Sequence, residues 1–240
     1  MKRSIATYAT TFALAAGFLG GPALAESPRS VMLELHVGTY TPDVDSQFTT
    51  ATPYADVFGN SGLLTFKVGV DYQLWQAHGT LAAGVAFGYG FVDGKALTGD
   101  ETSSDEVGFN MFPLQAGLVY RWDWAAVRHG VPLVPYFKAG FSGAIWWATN
   151  GKDEIANTAG PDGESRVGRG LTLGYHYGGG IQFLLDILAP GMAQGFDNES
   201  GVNNSFIFAE FLQTTLNDFG SDSSIDLSDA AFSFGLMFEF

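Results

Sequence analysis

The sequence predicts an all-β fold, a closed antiparallel up-and-down transmembrane β-barrel of eight strands. Three observations predict it. The last stretch, Asp229 to Phe240, alternates: Phe232, Phe234, Leu236, Phe238 and Phe240 fall on one side of a strand, and Ala231, Ser233, Gly235, Met237 and Glu239 on the other. Side chains in a strand change faces with a period of two, so one face is apolar and one is small or polar. The same alternation returns in six earlier segments and, less cleanly, in a seventh. Composition agrees: 15% of residues are charged, against a usual value of about 25%, and there are 32 Gly and 21 Phe. That suits a protein whose outer surface faces lipid.

The chain opens on a secretory signal. Lys2 and Arg3 form a positive start, Thr11 to Gly20 an apolar stretch, and Ala23-Leu24-Ala25 a small-x-small cleavage site before Glu26. Residues 1–25 are therefore expected to be removed and residues 26–240 to form one barrel domain. The apolar stretch is too short to span a bilayer as a helix, and no later stretch offers the roughly 18 apolar residues that a spanning helix needs. There is no Cys, which excludes a lipid-anchored lipoprotein and a disulfide-stapled module. Two of the eleven basic residues leave with the signal, so the formal charge moves from −14 to −16. A chain this acidic is a poor nucleic-acid ligand, because phosphate binding needs clustered Lys and Arg.

The first segment, Ser30 to Gly38, sets Val31, Leu33, Leu35 and Val37 against Met32, Glu34, His36 and Gly38. The second, Leu63 to Trp75, sets Leu64, Phe66, Val68, Val70, Tyr72 and Leu74 against Thr65, Lys67, Gly69, Asp71 and Gln73. In the third, Leu81 to Phe91 alternates with Thr80, Ala82, Gly84, Ala86, Gly88 and Gly90. The fourth, Phe109 to Trp122, turns Met111, Gln115, Gly117, Val119 and Arg121 away from its apolar set. The fifth, Leu133 to Trp147, does the same with Tyr136, Lys138, Gly140, Ser142 and Ala144. The sixth, Gly170 to Phe183, does it with Thr172, Gly174, His176, Gly178, Gly180 and Gln182. The seventh, Asn203 to Gln213, has no clean face; Ser205, Ile207, Ala209 and Phe211 are its better outer set, with Glu210 inside. The eighth is the terminal strand. A membrane strand needs about 9 to 11 residues when tilted, and single-chain bacterial barrels have an even number of strands. Tyr72, Tyr89, Tyr120, Trp122, Trp147, Tyr175 and Tyr177 are expected near strand ends, as interfacial girdles.

A soluble β-sandwich or lipocalin-like barrel also alternates. Its water-facing side would carry Lys, Glu and Thr, whereas the second face here is rich in Gly, Ala and Thr, which fits a crowded lumen. With both termini on the periplasmic side, the outer connections are Thr39 to Gly62, Asp93 to Gly108, Ala148 to Arg169 and Thr214 to Ser228. The inner ones are Gln76 to Gly79, Asp123 to Pro132 and Leu184 to Val202, the last with a short helix near Leu184 to Gln194.

Two resemblances sharpen the location. The terminal strand, with Phe232, Phe234, Phe238 and a final Phe240, resembles the C-terminal sorting signal of Gram-negative outer-membrane barrels. That implies a bacterial outer-membrane location and recognition by the assembly machinery. Gly38-Thr39-Tyr40-Thr41-Pro42-Asp43-Val44-Asp45, Val131-Pro132-Leu133-Val134-Pro135-Tyr136-Phe137-Lys138 and Gly201-Val202-Asn203-Asn204-Ser205 leading to Glu210 resemble a family of outer-membrane β-barrels first described in myxobacteria. This chain has Asn204 and Ser205 near positions where that family carries His and Thr. The resemblance implies fold and location, and no activity or catalytic residue.

The inward set holds Glu34, His36, Lys67, Asp71, Arg121, Lys138, His176, Glu210 and Glu239. The interior of an eight-stranded barrel is just wide enough to be filled by side chains, and buried charges must be paired. A structural network of ion pairs is therefore expected, with an ion path as the rival. Catalysis would have to use His36, His176 and Ser205. No nucleophile elbow or His-Glu motif accompanies them, and His78 and His129 fall in turns. Asp43 and Asp45, the run Asp100, Glu101, Asp105 and Glu106, and the pair Asp153 and Glu154 lack the spacing of an EF-hand loop. No cofactor or metal site is expected. The expected role is a monomeric, non-enzymatic barrel whose loops contact lipopolysaccharide or a partner. A narrow pore for ions or small solutes is the alternative, and a lipid-modifying enzyme the third reading.

Overall fold

The computed structural model describes residues 30–59, 61–98, 101–159, 165–221 and 223–240. The expected signal peptide lies outside the described residues. Eight strands close the barrel: β1 (Val31–Tyr40), β2 (Leu63–Gln76), β3 (Thr80–Thr98), β4 (Glu101–Arg121), β5 (Leu133–Thr149), β8 (Arg169–Leu184), β9 (Asn204–Leu216) and β10 (Asp229–Glu239). A small hairpin, β6 (Asn157–Ala159) with β7 (Ser165–Val167), decorates the connection between β5 and β8. Each barrel strand pairs antiparallel with its predecessor, and β10 returns to β1, with Leu35 opposite Leu236. Closure matters because hydrocarbon cannot satisfy a free strand edge. At the seam, the Phe240 carbonyl accepts the N–H groups of Ser30 and Val31, and the Phe240 N–H donates to the Val31 carbonyl at 2.8 Å.

The faces follow the period of two along the barrel strands, interrupted by irregularities between Gln73 and Trp75 of β2 and between Lys95 and Leu97 of β3. Outward residues such as Phe87, Leu118, Phe141 (72% exposed), Leu171, Ile207 and Phe234 stand in the surroundings. Inward ones such as Met32, Met111, Gln182, Phe208 and Met237 are fully covered. The exposed apolar residues run round every barrel strand. Soluble monomers rarely show an apolar patch beyond a few hundred Å², so this is a surface built for lipid. Among the described residues no helix is long and apolar enough to cross a membrane; the chain crosses with strands.

The ends differ from expectation in four places. The stretch 93–108 is mostly strand, not loop: β3 and β4 stay paired to Thr98 and Glu101, with Lys95 opposite Glu106. Its polar residues hide the alternation because the hairpin runs past the rim into water. The connection after Arg121 contains a helix, α2 (Trp124–His129), stopped by Gly130 at φ 65°. The helix expected near residues 184–194 starts later, as α3 (Pro190–Ser200), because Pro190 suits the first turn of a helix and Gly201 at φ 70° ends it. Finally, Tyr175 and Tyr177 flank the middle of β8 rather than an end. Tyr89, Phe112 and Trp147 do form an outer aromatic cluster, with ring centroids 5.2 to 6.3 Å apart.

Candidate functional site: the lumen and the loop end

The lumen is layered. Nearest the termini, Met32, Ala82, Val119, Val134, Tyr136, Phe206, Phe208 and Met237 form an apolar plug. At the loop end, Tyr54, Leu63, Val92, Phe109, Met111, Ala144, Leu216 and Leu227 form a second. The charged waist belongs with the inward residues of β1, β2, β5, β8 and β9.

Register brings the waist together. β1 supplies Glu34 and His36, β5 supplies Tyr136 and Lys138, and β9 supplies Glu210. Lys138 Nζ lies 2.6 Å from Glu34 Oε2 and 2.9 Å from Glu210 Oε2. His36 Nε2 donates to Glu34 Oε2 at 3.0 Å, and its Nδ1 lies 3.8 Å from Glu210 Oε1, beyond hydrogen-bond reach. The Tyr136 hydroxyl donates to Glu210 Oε2 at 3.0 Å. One ammonium thus bridges two carboxylates, an arrangement that a low-dielectric interior tolerates only when the pairing is complete.

Lys67 and Asp71 of β2 stand beside this cluster without joining it. Among the described residues neither has an opposite charge within 4.0 Å. Room for them is made by β3. A Cβ on Gly84 would overlap the Asp71 carboxylate, and one on Gly88 would meet Lys67 Cγ at 2.6 Å. His176 bonds elsewhere: its Nδ1 shares a hydrogen bond of 2.8 Å with Ser142 Oγ, across the β5–β8 pair. Ser142 was the partner missed in the sequence, because the long connection between β5 and β8 leaves open which residues of the two strands face each other. Ser205 faces outward and meets neither His36 nor His176. Its N–H donates to Asp186 Oδ1.

Arg121 and Glu239 form a separate site at the terminal end. Arg121 Nη1 lies 3.1 Å from Glu239 Oε1, and Nε donates to Gln182 Oε1 at 2.8 Å. The guanidinium also sits 5.1 Å over the Phe206 ring. Asn204 Nδ2 donates to the other Glu239 oxygen at 2.8 Å, so Asn204 has a role in this site. The internal cavities are small. One, bordered by Glu34, Asp71, Lys138 and His176, measures about 30 Å³; another, beside Arg121 and Glu239, about 40 Å³. Each is large enough for ordered water and too small for a solute.

The loop end is capped by the chain itself. A short 3₁₀ turn (Val44–Gln47) and α1 (Pro53–Phe58) fold over the rim. Asp45 accepts the N–H groups of Tyr54 at 2.7 Å and Ala55 at 3.0 Å, so it is a helix cap rather than a free ligand. Gln47 ties this segment to the connection before β10: its amide donates to the Ser224 carbonyl at 2.7 Å and accepts the Asp226 N–H at 2.8 Å. The Tyr40 hydroxyl donates to the Leu227 carbonyl. An open cleft of about 580 Å³ lies beside the cap, bordered by Thr41, Asp43, Tyr54, Gln213 and Asp229. Burial, with the nearby Asp229 and Asp45 carboxylates, pushes the Tyr54 phenol up to about 12. Among the other acidic positions, Asp100 lies outside the described residues. Among the described residues no group of three or more His, Cys, Asp or Glu could hold a metal ion.

No protein-family model matches the sequence, and no curated protein matches it. Several solved structures are similar. Neisserial surface protein A aligns at 11% identity and a TM-score of 0.48, over 88% of this chain and 96% of its own. The attachment invasion locus protein Ail of Yersinia pestis aligns at 14% identity and a TM-score of 0.42, over 88% and 97%. The outer membrane enzyme PagL aligns at 16% identity and a TM-score of 0.38, over 87% and 98%. The resemblance to the myxobacterial family finds no counterpart among these matches.

Proposed function

We propose that the protein is a non-enzymatic, non-conducting barrel of the bacterial outer membrane that works through its loop end. The observation that supports this best is the sealing of the lumen. Apolar clusters lie on both sides of the charged waist, and the cavity bordering the waist measures only about 30 Å³. An ion would have to shed its water and cross both plugs, at a cost of many kcal/mol. The pair Ser142 and His176 lies inside the same wall, where an acyl chain has no room. The apolar outer face is unbroken round the barrel, as a monomer in lipid requires. What is left for recognition is the capped loop end, with its cleft and acidic connections, facing lipopolysaccharide or a partner. The terminal strand remains the element offered to the assembly machinery.

The chain contains no Cys, so orientation can be tested by single introductions. Lys152→Cys, at the loop end, is expected to react with a membrane-impermeant maleimide on intact cells. Ala77→Cys, at the opposite turn, is expected to react only after lysis. The reverse pattern would invert the orientation and remove the loop end as a recognition surface. Proteoliposomes of the mature chain are expected to swell in a small sugar no faster than empty vesicles. Faster swelling would favour the pore, with Lys67 and Lys138 as its first residues to replace.

A further inference from the structure

α3 and the turn before it form an element that the barrel does not explain. None of the 11 residues of α3 is buried. Leu188, Met192 and Phe196 recur at intervals of four, which brings Met192 and Phe196 onto one side of the helix. All three are exposed, Leu188 and Met192 by about two thirds (68% and 67%). Gln194 and Asn198 lie on the opposite side. The helix has little reason to form alone. Helices shorter than about 12 to 15 residues are marginal in water, and each interior Gly costs about 1 kcal/mol relative to Ala. α3 carries Gly191 and Gly195, and a Cβ at either would touch nothing, so neither is there for close packing.

Its position supplies the missing partner. The Leu185 N–H donates to the Ser205 carbonyl at 2.8 Å, which holds the start of this connection against the end of the barrel wall. The apolar belt reaches the same end through Ile181, Leu133 and Val131, all exposed, and Ile187 and Leu188 continue it into the connection. The segment 185–200 contains Asp186, Asp197 and Glu199 and no Lys or Arg. Anionic headgroups would repel it, whereas a zwitterionic leaflet would accept its apolar edge.

We propose that α3 is an interfacial anchor. Leu188, Met192 and Phe196 lie in the headgroup region of a zwitterionic leaflet at the terminal end, and the opposite side faces water. The proposal rests on the barrel spanning the membrane, so its test includes a control on the barrel wall. Nitroxide labels are placed singly through Met192→Cys, Phe196→Cys, Gln194→Cys, Asn198→Cys and, as the wall control, Leu171→Cys. The full mature chain is refolded in phosphatidylcholine vesicles, and collision rates with oxygen and with a water-soluble nickel chelate are measured. The ratio of oxygen to nickel collisions is expected to be several-fold higher at 192 and 196 than at 194 and 198. Equal ratios at all four sites, with a lipid-like value at 171, would overturn the anchor and leave the barrel standing. A water-like value at 171 would overturn the membrane reading and the anchor together. Spin–spin broadening at 192 that persists on dilution in lipid would assign the edge to a second copy and overturn the lipid assignment. Hydrogen exchange gives a check that needs no label. The double variant Met192→Asp/Phe196→Asp is expected to keep the heat-modifiable gel mobility of a folded barrel while exchange across 190–200 speeds up several-fold. Unchanged exchange in that folded variant would contradict the anchor.

Discussion

Lys138 is the residue on which the waist depends. Its ammonium lies 2.6 Å from Glu34 and 2.9 Å from Glu210. Lys138→Met is expected to destabilise the folded barrel by about 3–5 kcal/mol, because it leaves two buried carboxylates facing each other. Urea unfolding in lipid vesicles checks this, and adding Glu210→Gln is expected to recover part of the loss. Tyr54 gives a pH signature. Its phenol sits at about 12 in the folded cap against an ordinary 10.0. The unfolded segment therefore loses its proton first, so the stabilisation is complete below pH 10 and falls as pH rises from 10 to 12. Limited proteolysis of α1 is expected to accelerate over that window, and Tyr54→Phe to remove the rise. At this scale the sequence was only half legible. The inward charges could be read from alternation, but their partners could not. Glu34, Lys138 and Glu210 are far apart in the chain, and only register joins them. Lys67 and Asp71, with equal claims in sequence, stay outside the shared ion pair.

Strands were the most legible elements, because burial on one face and lipid on the other enforce a period of two. β9 was the exception, and for a physical reason. Its inward residues Phe206, Phe208, Leu212 and Leu216 are as apolar as its outward ones, since they help to fill the plugs. The plugs themselves went unread: inward apolar residues look like noise in an alternating pattern. The β3–β4 extension was missed for the converse reason, as its residues are mostly polar and α1, rather than a lumen, covers part of it near Gly94. The lipid face can be challenged directly. Phe87→Arg is expected to cost about 2–4 kcal/mol if it lies near the bilayer midplane, read as loss of heat-modifiable mobility at lower urea. An unchanged midpoint would move Phe87 out of the hydrocarbon. At the seam, deletion of Phe240 removes the carbonyl that accepts Ser30 and Val31. It is expected to slow assembly into the outer membrane in pulse–chase experiments, and normal assembly would show that the terminal residue carries no signal.

For the molecule as a whole, layering connects structure to role. The wall is apolar outside, the waist is charged, with Lys138 between Glu34 and Glu210 and with Lys67 and Asp71 set apart, and an apolar cluster lies toward each end. Glycine on β3 makes room for charge inside, while the cap on β1 and β2 covers the loop end. On the proposed reading, a barrel so filled holds its shape in lipid and displays an end. The claim at the centre is that the lumen is sealed, and single-channel recording of the refolded mature chain in a planar bilayer tests it most directly, with gel mobility as the folding control. A folded, electrically silent sample is the predicted result. Small, reproducible conductance steps from folded protein, altered by Lys138→Met, would contradict it and identify the charged waist as the path.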